Sequence, residues 1–140
     1  MLFLILPAVS SAGELKPFTT DGCSAFPDGT FDHQSLWAEC CIQHDIAYWK
    51  GGTYEERLKV DKELEACVTE IGQPGIASIM LNGVRAGGSP YFPTSYRWGY
   101  GWSYLRGYKA LSPEDKQQVR LRLEQFKVLI NSIEEDLITE

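Results

Sequence analysis

The segment Cys40-Cys41-Ile42-Gln43-His44-Asp45-Ile46-Ala47-Tyr48 sets an imidazole beside a carboxylate. It lies in a stretch, Ser35 to Trp49, that runs without glycine or proline and reads as a helix. Neighbours on a helix diverge by about 100°, so His44 and Asp45 serve two adjacent tasks rather than one. A general base and a metal ligand suit these two residue types. A catalytic histidine needs a partner that fixes its tautomer. Asp61 is the candidate partner, and Tyr48, one turn beyond His44, reaches the same network.

The elements around these residues have to bring them together. Trp37, Cys41, His44 and Tyr48 recur at steps of four, three and four, which puts them on one helix face. Gly51-Gly52 ends that helix, and Thr53-Tyr54-Glu55-Glu56 opens a second with the pattern of a capping box. Leu58, Asp61, Leu64 and Cys67 follow at steps of three, and so short a connection predicts two antiparallel helices packed face to face. Glu55, Glu56, Arg57 and Lys59 read as a solvated face. Gln73-Pro74-Gly75 breaks the chain, after which Ile76, Ile79, Met80 and Val84 predict a short third helix ending at Gly87-Gly88.

Residues 91–108 are dense in aromatics and glycine and are expected to be irregular. Trp98 and Trp102 there suit either an interfacial collar or a small core. Ser112-Pro113-Glu114-Asp115 is a helix start, with an N-cap serine, proline in the first turn and acids at the positive end of the dipole. The seam Val119, Leu123, Phe126, Ile130, Ile133 and Leu137 then reads as a helix packed on the core, with a lipid- or partner-facing helix as the alternative.

Composition bounds the classes. At 140 residues, 44% hydrophobic and 23% charged, the chain is one domain with a core, neither disordered nor a membrane bundle. A net charge of −6 excludes nucleic acid as a partner and disfavours strongly anionic lipid. Met1 to Ala12 carries no charge, has an apolar run and ends in small residues, which reads as a secretory signal. In an exported chain the four cysteines, Cys23, Cys40, Cys41 and Cys67, argue for two disulfides. Three pairings are open, although adjacent Cys40 and Cys41 are poor partners for each other.

Cys-Cys-x-x-His-Asp-x-x-Tyr resembles the active-site helix of secreted phospholipases A2. The second helix agrees, since in that family the supporting aspartate stands six residues before the cysteine that bridges back to the adjacent pair, as Asp61 does before Cys67. Ala47 and Val60 stand where many members carry a further bridge, so both halves of that bridge are missing together. The loop departs from the glycine-rich turn of the animal enzymes. Thr20-Asp21-Gly22-Cys23-Ser24 with Pro27-Asp28 is more similar to bacterial and fungal members. The resemblance covers roughly Thr19 to Val68.

It implies an all-α fold: a disulfide-linked pair of antiparallel helices with a calcium loop, joined here by a short third helix and an appended C-terminal helix. It implies disulfides Cys40–Cys67 and Cys23–Cys41, and Ca²⁺ held by Asp21, the Gly22 carbonyl and Asp45. Asp28 is more simply a turn residue, and His33 a surface one. The implied reaction is hydrolysis of the sn-2 ester of glycerophospholipids at a membrane surface or micelle. His44 would be the base, Asp61 its support and Tyr48 a brace, with a backbone N–H near Cys23 or Ser24 as oxyanion donor.

The resulting organisation is a signal peptide at 1–12, a catalytic domain at 13–110 and a C-terminal amphipathic helix at 111–140 that offers a surface for a protein partner. The location is secreted or periplasmic. The alternatives are a non-catalytic lipid- or protein-binding module on the same fold, an esterase for other substrates, a zinc cluster at Cys-Cys-x-x-His, and a structural His44.

Overall fold

A computed structural model describes residues 13–23, 29 and 36–139. The expected leader, Met1 to Ala12, lies outside the described residues, as do Ser24, Asp28 and His33. Four helices and no strands are found among the described residues: α1 (Ala38–Lys50), α2 (Tyr54–Glu70), α3 (Pro74–Gly87) and α4 (Pro113–Ile138). The fold is all-α and disulfide-linked. No helix among the described residues is long and apolar enough to cross a membrane.

α1 stops where the chain turns through Gly51, at φ 65°, a region that favours glycine. Thr53 then caps α2: its hydroxyl accepts from the Glu56 N–H, and the Glu56 side chain accepts from the Thr53 N–H. The pairs Cys40–Cys67, His44–Asp61 and Tyr48–Asp61 run in opposite chain directions along α1 and α2. That register is antiparallel, as the short connection requires.

α3 begins earlier than expected. Pro74 and Gly75 form its first turn rather than a break, because proline at the first helical position lacks only an N–H that would go unpaired there. At 14 residues α3 is also slightly longer than α1, which has 13, and it packs extensively on α2.

Two apolar clusters flank the middle of α1. One joins Trp37, Cys40 and Cys41 to Leu64 and Val68 of α2 and Ala77 and Met80 of α3. Disulfides Cys23–Cys41 and Cys40–Cys67 close loops of 18 and 27 residues around it, each worth about 3 kcal/mol through the unfolded chain. The second cluster joins Trp49 to Leu15, Phe18, Trp102 and Val119.

Segment 13–18 is clasped in place by this second cluster. The Lys16 N–H donates to the Gly101 carbonyl, the Trp49 indole to the Lys16 carbonyl, and Arg122 of α4 to the Leu15 carbonyl. Gly101 has to be glycine here, since a Cβ would lie 2.5 Å from Trp49 Cδ1 and 2.6 Å from Leu15 Cδ1.

Residues 91–108 contain no helix, but their tryptophans are core. Trp98 and Trp102 are each 1% exposed, so neither serves as a collar. Their indoles donate to the Gly52 and Lys50 carbonyls, which lets a loop fill the interior without stranding a polar atom. α4 opens on the capping box of Ser112 and Asp115, with Arg106 2.6 Å from the Asp115 carboxylate. The expectation that its whole seam packs on the core holds only for the first half: Val119, Leu123 and Phe126 lie in or against the second cluster, whereas Ile130, Ile133 and Leu137 are exposed.

Candidate functional site

Between the two clusters α1 turns His44 and Tyr48 inward, toward Asp61 on α2. His44 Nε2 lies 2.9 Å from Asp61 Oδ1, and the Tyr48 hydroxyl donates to the same oxygen at 2.6 Å. Asp61 is fully buried, so its carboxylate needs every partner it has. A carboxylate accepts and does not donate, hence Nε2 carries the imidazole proton and Nδ1 is left as the acceptor nitrogen. Burial, then the Asp61 charge, hold the Tyr48 phenol well above its ordinary value, so it remains a donor.

Two arginines complete the network. Arg85 of α3 donates from Nε to Asp61 Oδ2 at 2.8 Å and from Nη2 to the Leu58 carbonyl. Arg57 donates to the Tyr48 hydroxyl, the Tyr108 hydroxyl and the carbonyls of Val84 and Arg85. The reading of Arg57 as part of a solvated face is overturned: it is 5% exposed. Its position four residues before Asp61 was a signal that the two share a helix face. Arg85 had no comparable signal, because its partner comes from another helix.

His44 also lines a cavity of about 420 Å³, shared with Tyr48, Leu64, Met80, Val84 and Gly88. Gly88 keeps α3 close to Tyr48, since a Cβ there would sit 2.6 Å from Tyr48 Cε1. Asp21, Gly22, Cys23 and Asp45 line the same cavity. The three expected ligands and the expected base therefore meet around one space. Ser95 and Tyr96 also line it, and exposed Tyr91 and Phe92 lie close by in the chain.

The Thr20 hydroxyl donates to Asp45 Oδ2 at 2.6 Å and accepts from the Gly22 N–H at 3.0 Å, tying the loop to α1. Tyr100 reinforces this tie, its hydroxyl donating to the Thr19 carbonyl and approaching the Asp45 carbonyl. Neither Thr20 nor Tyr100 stood out as a site residue in the sequence. Burial pushes the Asp45 carboxyl up to about 6; Thr20 and His44 oppose that rise and Asp21 adds to it.

No protein-family model, curated protein or solved structure matches this chain. What the site can do therefore rests on its own geometry. Among the described residues no three His, Cys, Asp or Glu side chains form a group that could hold a metal. The expected set falls short of such a group by its nature, being two carboxylates and a carbonyl. Its chemistry nonetheless fits a hard divalent cation: all donors are oxygen, and the half-buried Asp45 carboxylate lies beside a second negative charge, Asp21. All four cysteines are consumed in disulfides, which removes the thiolates a zinc cluster would need.

Proposed function

We propose that the protein is a calcium-dependent phospholipase A2-type hydrolase that cleaves the sn-2 ester of glycerophospholipids. The observation that carries this reading is His44, paired to buried Asp61, on the wall of the cavity that Asp21, Gly22 and Asp45 also line.

His44 takes the proton of an attacking water at Nδ1, because Nε2 is committed to Asp61. Asp61 holds the imidazole in that tautomer and stabilises the imidazolium that forms. Tyr48 fixes the acceptor oxygen of Asp61, and Arg57 fixes Tyr48 from behind. Leu64, Met80 and Val84 give the cavity an apolar wall suited to an acyl chain. Asp21, the Gly22 carbonyl and Asp45 would hold Ca²⁺, which supplies a Lewis acid for the substrate phosphate and ester carbonyl. The two disulfides support export to an oxidising compartment, secreted or periplasmic.

The test is release of sn-2 fatty acid from mixed phospholipid vesicles, in millimolar calcium and in EGTA, by wild type and His44→Gln. The expected result is calcium-dependent release that falls by about 10²–10⁴ in the variant. No release from wild type in any lipid, with calcium binding intact by calorimetry, would leave a lipid- or protein-binding module instead.

A further inference from the structure

α4 outruns the body it packs on. Val119, Leu123 and Phe126 meet the Leu15–Phe18–Trp49 cluster, and the same stripe continues at steps of four, three and four through Ile130, Ile133 and Leu137. From Lys127 to Thr139 every residue is exposed. Ile130 and Ile133 are 46% exposed and Leu137 74%, on a helix that is nevertheless continuous to Ile138. A helical end of this length is marginal in water without packing, and an apolar face of this size calls for a partner.

The charges bordering the face select the partner. Lys127 and Glu134 stand two turns apart on the same side of the stripe, and Glu134-Glu135-Asp136 make the far end acidic. A parallel pair would lay the two acidic ends together. The same acids disfavour anionic lipid.

We propose that the free half of α4 pairs antiparallel with the same half of a second copy, crossing near Ile130. Ile130 and Ile133 of both copies then close the centre of one seam, with Leu137 of each at its outer end. The two-fold axis through the crossing brings Lys127 of each copy to Glu134 of the other, two ion pairs from one sequence. The inference stands apart from the hydrolase reading, since no residue of the cavity takes part.

Sedimentation equilibrium of the full chain tests it, with circular dichroism to check that each variant keeps its helices. Wild type is expected to run as a dimer and Ile133→Glu as a monomer. Lys127→Glu and Glu134→Lys each put like charges across both contacts and should weaken association by about tenfold. Mixing the two variants should restore the dimer, because opposite charges then face each other at both contacts. A wild type that stays monomeric at about 100 µM would overturn the proposal. So would a dimer indifferent to both charge reversals, or a single chain that uses this face only on zwitterionic phosphatidylcholine vesicles.

Discussion

Arg85 Nε lies 2.8 Å from Asp61 Oδ2, the carboxylate oxygen that His44 and Tyr48 leave to it. The acceptor that orients the histidine is thus anchored from a third helix, and α3 becomes part of the site rather than a support beneath it. Arg85→Met would leave a buried carboxylate with only the more distant of its two cations, Arg57 Nε at 3.9 Å from Oδ2; breaking a buried pair typically costs about 3–5 kcal/mol. Because the Arg85 side chain is about one-third exposed, the expected loss is nearer 2–3 kcal/mol, read by urea denaturation. Arg85→Lys should recover part of it, since an ammonium supplies charge but cannot reach Asp61 and the Leu58 carbonyl together.

Tyr48→Phe separates bracing from base chemistry. The hydroxyl donates to Asp61 and accepts from Arg57, so its removal leaves two buried groups each one partner short. The ring keeps its edge-on packing against Trp98, which limits the damage to the polar contacts. A stability loss of about 1–3 kcal/mol is expected. Under the proposed function, fatty-acid release should fall by roughly tenfold, well short of the loss in His44→Gln. Equal losses in the two variants would mean that Tyr48 does more than brace.

The parts of this arrangement that were legible in the sequence are those governed by local rules. Helical spacing placed His44 and Tyr48 on one face, the short Gly51–Thr53 connection set the register that brings Asp61 to them, and the Thr53–Glu56 capping box and the N-cap Ser112 follow from residues close in the chain. Contacts between segments distant in the chain were not legible. Arg57 sits in a run of charged residues, and although its spacing to Asp61 puts the two on one helix face, its burial is decided by Tyr108 and the Val84 carbonyl, which lie far along the chain. The stretch 91–108 has no period at all, so a core tryptophan and an exposed one look alike there. The seam of α4 shows a similar limit: its repeat is unbroken to Leu137, and nothing in that repeat says where the protein body beneath it ends.

All four tryptophans, Trp37, Trp49, Trp98 and Trp102, are buried. Intrinsic fluorescence should therefore be blue-shifted in the folded protein, move to the red on unfolding, and stay unchanged when phosphatidylcholine vesicles are added. A blue shift or quenching by brominated lipid would place an indole at the interface, contrary to this packing. Trp98→Ala should cost about 3–5 kcal/mol as a core truncation, well beyond what loss of a surface ring would do.

Asp115 ties the stability of the α4 attachment to pH. Burial opposes its charge, but the Ser112 N–H and the Arg106 guanidinium outweigh that, and the carboxyl is held below its ordinary 3.8. A depressed folded-state value means that the unfolded chain binds the proton more tightly, so the contribution is complete above 3.8 and is lost as pH falls through the lower folded value. Asp115→Asn keeps the shape while removing the charge. Wild type should exceed this variant by a constant margin of about 1–2 kcal/mol from neutral pH down to about pH 5. The margin should then shrink steadily below pH 4, as followed by urea titrations. A margin that persists at pH 2 would show that hydrogen-bond geometry, not the Arg106–Asp115 charge pair, holds the start of α4.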